Sequence, residues 1–245
     1  MRPYWSGHPR GQDPRPPRSH DSGGFFISGA IVNSVLCLVD GFNLYHSIRD
    51  CERGGDQRLR WLDLRGLCES LLHTLPWPAH VIDGDVVYFS AFAYHIESSR
   101  PGSVSRHQTY ISALSASGVD VVLGHFKQRL VTCPDCGHRI VRFEEKETDV
   151  AIASRMLAPA TLERHQAVML VTGDTDLVPA IVTARSHPRR PYVVVAFPFG
   201  RVNRQLRQVS DASVRLKRAH YRRHQFPPRI ESPDGRAILR PPEWR

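Results

Sequence analysis

Two apolar runs in this 245-residue chain end in carboxylates: Val35-Leu36-Cys37-Leu38-Val39-Asp40, and Val168-Met169-Leu170-Val171-Thr172-Gly173-Asp174-Thr175-Asp176. Unbroken aliphatic runs of this length mark strands covered on both faces, which is the habit of parallel sheets flanked by helices. In such a sheet the carboxyl ends of the strands open onto one crevice. A third acidic cluster, Glu144-Glu145-Lys146-Glu147-Thr148-Asp149, precedes a helical pattern. Carboxylates converging on one crevice repel one another, and a divalent cation relieves the repulsion. An all-oxygen donor set suits Mg²⁺ or Mn²⁺, and such ions commonly serve phosphodiester hydrolysis.

The remaining pattern alternates strands and helices. Strands are expected at about 35–39, 85–92, 119–126, 167–172 and 192–197, and helices at about 62–75, 101–117, 148–157, 177–186 and 202–209, with a short helix from near Asn43. Leu64, Leu67, Leu71 and Leu75 recur at helical spacing, and Pro76 ends that run. Pro179 is compatible with the first turn of its helix. The fold class is therefore α/β, a three-layer sandwich around a mostly parallel sheet. Residues 1–30 are Pro-rich and basic and are expected to be disordered. The domain is expected over 31–215, with an irregular insertion at about 127–143 around Cys133-Pro134-Asp135-Cys136, and residues 216–245 form a basic, Pro-rich and flexible end. The apolar stretch 25–39 has 15 residues, is broken by polar ones and runs into Asp40. It is short of the ~20 residues that span a bilayer and lacks a cleavage-site pattern. No membrane partner is expected. Five irregularly spaced cysteines point to a reducing cytoplasm rather than a disulfide framework.

Charge is unevenly placed. The chain holds 33 Lys and Arg against 24 Asp and Glu, for a net +9; residues 201–245 alone hold 12 against 4. That asymmetry fits a polyanion touched by the C-terminal segment, or serves solubility alone. Arg215, Lys217, Arg218, Arg222 and Arg223, interleaved with Tyr221 and Phe226, suit single-stranded RNA by phosphate contact and stacking. The alternative is a final helix whose Leu216 and Tyr221 pack on the domain. Lys146 could meet a phosphate or pair with Glu144 or Glu145.

Each acidic position has a structural alternative. Asp40-Gly41 is also a common turn, Asp176 suits a helix N-cap, and Asp149 is favoured by the dipole at a helix start. The three clusters together are less easily coincidental. Asp40-Gly41-Phe42-Asn43, the Glu145-Lys146-x-Thr148-Asp149 stretch and Thr172-Gly173-Asp174-Thr175-Asp176-Leu177-Val178-Pro179 resemble, in this order, the three motifs of NYN-domain proteins in the PIN-like nuclease group. The resemblance covers about 35–215. It implies a sheet order of 3-2-1-4-5, which sets the first and fourth strands side by side, and an Mg²⁺- or Mn²⁺-dependent endoribonuclease. Asp40, Asp149, Asp174 and Asp176 would hold the metal, and Asn43 would orient a ligand or water. Aspartate-based phosphatases need a second Asp two residues after the first, where Phe42 stands. A Toprim-type site needs Glu where Asp40 stands. The rival is a non-catalytic RNA-binding or regulatory protein on the same fold.

Cys133-Pro134-Asp135-Cys136-Gly137-His138 has the turn chemistry of a zinc knuckle. Cys133, Cys136 and either His138 or His125 would supply three ligands of four. A zinc shared between two chains, which would make a homo-oligomer, is one way to complete the set; a redox pair or a plain hairpin with two thiols are others.

Overall fold

The computed structural model describes residues 33–53, 55, 58–158 and 164–244. Its centre is β1 (Asn33–Asp40), whose last seven residues are all buried. Period-2 geometry sends Val35, Cys37 and Val39 to one face of the sheet and Leu36 and Leu38 to the other, and these residues belong to two separate hydrophobic clusters. The neighbours obey the same rule: β3 (Val86–Ala91), β6 (Ala167–Val171) and β7 (Tyr192–Phe197) each divide their apolar side chains between the two clusters. This is why these strands are continuously apolar.

The first face is covered by α1 (Gly41–Arg53), α2 (Leu64–Ser70) and α3 (Ser103–Ala116), the second by α4 (Thr148–Leu157), α5 (Val178–Ser186) and α6 (Arg204–Val209). Asp63 caps α2 by accepting from Gly66 N at 3.0 Å, and Asn203 caps α6 by accepting from the amides of Gln205 and Leu206. The helix expected at 62–75 is thus shorter, with a separate 3₁₀ turn at Leu72–Thr74 before Pro76.

The main sheet runs β5 (Arg139–Lys146), β4 (Val119–Thr132), β3, β1, β6, β7 and β8 (Ala212–Arg215) in that order, and a two-residue β2 (Ala79–His80) pairs with the start of β1. Within it β4-β3-β1-β6-β7 is the order 3-2-1-4-5 in the terms of the sequence, and all its pairs are parallel. β1 pairs with β3 and with β6, and the chain reverses its direction of travel across the sheet between β1 and β6. That is a topological switch point, where open α/β sheets place ligands.

Both edges are longer than the sequence predicts. On one side β8 (Ala212–Arg215) adds in parallel to β7. On the other, β4 (Val119–Thr132) continues past its neighbour and turns back as β5 (Arg139–Lys146), pairing antiparallel from His125↔Lys146 to Thr132↔Arg139. The irregular insertion expected at 127–143 is therefore a regular two-stranded arm. Much of it is exposed on both faces, Leu130, Ile140, Val141 and Phe143 included, so it shows no one-sided hydrophobic alternation that would mark it as strand.

The expectation of a flexible C-terminal segment is also corrected. Lys217 and the helix α7 (Arg218–Arg223) lead into a hairpin of β9 (Arg229–Glu231) and β10 (Ala237–Leu239). Leu216, Tyr221, Phe226 and Trp244 are buried in the first-face cluster. Trp61 holds the segment there: its ring meets Phe226 at 5.7 Å and Trp244 at 6.3 Å, and its Nε1 donates to Pro227 O at 2.8 Å. The prolines limit the regular structure but do not prevent burial of the aromatics between them. The N-terminal stretch expected to be disordered lies outside the described residues.

Candidate metal centre

Asp40 closes β1, and α1 begins at the next residue because Gly41 allows it. A Cβ on Gly41 would stand 2.4 Å from Phe89 O and 2.5 Å from Tyr88 Cε2. The Asp40 carboxylate is buried and held at both oxygens. Asn43 N donates to Oδ1 at 2.9 Å, and Thr172 Oγ1 donates to Oδ2 at 2.8 Å. Burial pushes its pKa up from 3.8 to about 6, the two hydrogen bonds pull the other way, and the charges of Asp149 and Glu145 add to the rise.

The loop after β6 brings the second carboxylate. Thr172 is buried, and its oxygen accepts the Asp174 amide at 3.0 Å. Gly173 N donates to Asn43 Oδ1 at 3.1 Å. Asn43 thus ties the start of α1 to the β6 loop, using its backbone for Asp40 and its side chain for Gly173. Asp174 in turn accepts from Asp176 N at 3.0 Å and caps the 3₁₀ turn Thr175–Leu177. The cap, the structural alternative for Asp176, belongs to Asp174.

The third comes from α4. Its N-cap is Glu147, which sits at φ +79°, the left-handed value among the described non-glycine residues. An L-residue there costs roughly 1–2 kcal/mol. Thr148 is buried and donates to Glu145. Asp149 follows in the first turn; burial first, then the charges of Asp174 and Asp176, raise its pKa. Glu145 is raised mainly by burial, with Asp149 adding. Thr148 and burial single it out from Glu144 and Glu147.

The sheet order and these caps bring Asp40, Asp149 and Asp174 together: each offers a carboxylate oxygen, and these oxygens lie within 4.8 Å of one another. Asp176 stands outside this trio and is exposed, though its charge reaches Asp149. Three mutually repelling carboxylates fit a hard dication with oxygen ligands. On the open side of Asp174, a cleft is lined by Asn43, Arg201 and Asn203. Arg201 donates to Asp50 at 2.6 Å. No sequence pattern singled out Arg201, which reaches the site through the turn after β7.

The other candidates lie elsewhere. Lys146 pairs with Glu144 at 3.1 Å, in keeping with the plainer of its two readings. Arg215, Lys217, Arg222 and Arg223 are exposed, whereas Arg218 donates to Cys51 O. Tyr221 and Phe226 are not stacking platforms. Tyr221 is fully buried, its hydroxyl shared with Ser47 Oγ at 2.8 Å and accepting from Phe199 N at 3.1 Å. Cys133 and Cys136 occupy the arm's tip as free thiols, and with His138 they form no three-ligand metal group among the described residues. The amides of Cys136 and Asp135 lower the Cys133 pKa. No described helix is long and apolar enough to cross a membrane.

No curated protein matches this chain. Among solved structures, the crystal structure of a protein of unknown function from Vibrio parahaemolyticus is similar, with 16% sequence identity and a TM-score of 0.49, over 76% of this chain and 94% of that one. The NYN domain family profile matches residues 34–217. With its parallel sheet and its trio of strand-end and helix-start aspartates, the chain belongs to the NYN domain family, a family of PIN-like nuclease domains.

Proposed function

We propose that this protein is a metal-dependent endoribonuclease that hydrolyses RNA phosphodiester bonds at the Asp40–Asp149–Asp174 centre. The observation that carries the reading is the mutual approach of these three carboxylate oxygens within 4.8 Å. Asp40, Asp149 and Asp174 hold Mg²⁺ or Mn²⁺, with Asp176 flanking them. The ion, when bound, polarises a phosphoryl oxygen, acidifies water and stabilises the leaving 3′ oxygen.

The chain's own groups prepare that site. Asn43 N and Thr172 Oγ1 take one lone pair from each Asp40 oxygen and fix the plane of the carboxylate, leaving its remaining lone pairs for a cation. Thr172 also fixes the Asp174 backbone, so two of the three carboxylates share one hydroxyl as their positioner. Outer contacts of this kind tune metal affinity and ligand direction. Arg201 and Asn203, on the cleft wall beside Asp174, supply a cation and an amide for the phosphate oxygens. The exposed basic residues Arg215, Lys217, Arg222 and Arg223 offset the acidic centre for a polyanionic strand.

The test is cleavage of a labelled single-stranded RNA in Mn²⁺, with EDTA as control, by the wild type and by Asp40→Asn and Asp174→Asn. Cleavage that requires Mn²⁺ and falls at least a hundredfold in both variants is expected. RNA binding with no cleavage on single- or double-stranded RNA would establish the non-catalytic RNA-binding protein instead.

A further inference from the structure

Beside the carboxylate trio, on the first face of the sheet, lies a second concavity of about 470 Å³ between α1 and α3. It begins at Gly41 and Phe42, the two residues that follow Asp40, and its floor is the carboxyl end of β3 at Tyr88, Ser90 and Ala91. Its volume is that of sites that enclose a small organic ligand.

Four kinds of group line it. Phe42 and Phe126 meet at a centroid distance of 6.2 Å, and Tyr45 and Phe42 keep over a third of their surface exposed. These rings give an aromatic mouth. Below them the polar groups are neutral. Burial drops the His107 pKa to about 4, so the imidazole is uncharged at neutral pH, and its Nε2 lies 3.5 Å from Ser90 Oγ. Trp244, brought in by the C-terminal segment, is over nine-tenths buried, yet among the described residues its Nε1–H meets no hydrogen-bond acceptor. A buried donor left unmade costs roughly 1–3 kcal/mol, which an acceptor on a bound molecule relieves. At the rim, Arg49 and Arg100 carry no ion pair among the described residues, while Arg106 is held by Glu243 at 3.0 Å.

A flat, apolar ligand edged with hydrogen-bonding groups and attached to phosphate meets all four conditions. We propose that this cavity receives one nucleobase of the RNA strand. The base next to the phosphate at the aspartates turns in past Gly41, lies against Phe42 and Phe126, and accepts the Trp244 Nε1–H through a ring carbonyl or ring nitrogen. Arg49 and Arg100 take the neighbouring phosphates. Duplex RNA cannot insert a paired base, so single strands are selected. The proposal rests on the ribonuclease reading for the strand's path, but the base site is testable apart from it.

The probe is a hexauridylate carrying one 4-thiouridine, bound to the full-length protein in EDTA, irradiated, and mapped by mass spectrometry. Cross-links to Phe42, Tyr45, Phe126 or Trp244 are expected. Labelling confined to Arg218–Arg223 or to the outer part of the β4–β5 arm, residues 129–142, overturns the proposal. By anisotropy, Phe126→Ala should weaken fluorescein-labelled hexauridylate about fivefold or more, the effect of losing one stacked base; unchanged affinity counts against it. 4-Thiouridine monophosphate labelling the same residues at the same concentration as the hexamer would make this a free-nucleotide site and overturn the strand assignment. The hexamer is also incubated with Mn²⁺. Cavity labelling without cleavage sinks the nuclease reading and leaves the base site standing, whereas cleavage without cavity labelling sinks the base site alone.

Discussion

Thr172 donates its hydroxyl hydrogen to Asp40 Oδ2 at 2.8 Å, and its oxygen accepts the amide of Asp174 at 3.0 Å. One buried side chain therefore sets the direction of a carboxylate on β1 and of the loop after β6. Thr172→Val keeps the shape and removes both bonds. It leaves Asp40 Oδ2 buried and unpaired, so its negative form becomes harder to keep. Mn²⁺ affinity should fall about 10- to 100-fold, the usual cost of losing an outer partner of a metal ligand. Thr172→Ser should keep most of it. Isothermal titration with Mn²⁺ measures both, and equal affinity in the Val variant would remove Thr172 from the site.

Asp40 gives a signed pH dependence. Its folded pKa is raised to about 6 from 3.8, so between those values the native protein binds more protons than the unfolded chain. Stability of the metal-free protein must then fall at this site as pH rises from about 4 to above 6. A gap of about two pH units corresponds to roughly 3 kcal/mol. Asp40→Asn removes the titration. Urea unfolding in EDTA should show the wild type losing up to about that amount relative to the variant between pH 4 and pH 7.5, and Mn²⁺ should restore it in the wild type only. Parallel pH profiles for the two proteins would mean that Asp40 ionises normally.

Much of this was legible in the residues. β1, β3, β6 and β7 declare themselves because both faces are covered, whereas the neighbouring of β1 and β6, which brings Asp40 and Asp174 together, was implied by the NYN resemblance and not by the residues alone. What was not legible depends on partners far along the chain. β8 has four residues, ASVR, too few for a period to show, and is a strand because β7 offers an edge. The arm of β4 and β5 buries neither face. The C-terminal segment reads as polar and Pro-rich, but Trp61 supplies the surface on which Phe226 and Trp244 are buried. Arg201 has no local motif and enters the cleft only through the turn that follows β7.

Gly41 is a steric requirement rather than a flexible joint. An added Cβ would meet Phe89 O at 2.4 Å and Tyr88 Cε2 at 2.5 Å. The first contact is backbone and cannot rotate away, so α1 must shift off β3. Gly41→Ala should destabilise the protein by about 1–3 kcal/mol, the cost of overpacking, and should misplace Asp40, which precedes it. Thermal unfolding and Mn²⁺ titration should therefore both worsen. A variant that loses stability but keeps its Mn²⁺ affinity would show that the end of β1 holds Asp40 independently of α1.

The five cysteines should react unequally. Cys37, Cys51 and Cys68 are buried, whereas Cys133 and Cys136 stand at the arm's tip. Gly137 N donates to Cys133 O at 3.0 Å and Cys133 N to His138 O at 2.8 Å, closing a tight turn. Within it the Cys136 and Asp135 amides stabilise the Cys133 thiolate and lower its pKa. The thiolate is the nucleophile. Iodoacetamide at pH 7 should label two thiols in the native protein and Cys133 first, as peptide mapping over time would show. Rapid labelling of Cys51 would mean that the contact of Arg218 with its carbonyl opens readily.

Tyr221 locks the C-terminal segment to the site side of the domain. Its ring is fully buried, and its hydroxyl meets Ser47 Oγ of α1 at 2.8 Å and the Phe199 amide at 3.1 Å. Phe199 leads to Arg201, which reaches Asp50 on α1 at 2.6 Å. Tyr221→Phe keeps the packing and leaves the Phe199 N–H without its acceptor, at a cost of about 1–3 kcal/mol. Tyr221→Ala also opens a cavity and should cost about 3–5 kcal/mol, the range for large aromatic truncations in a core. If residues 216–244 are part of the domain, both losses appear in one cooperative urea transition, and removing the chain beyond Arg215 abolishes it. Were the segment merely a tail, the truncated protein would unfold with an unchanged midpoint and Tyr221→Ala would be silent.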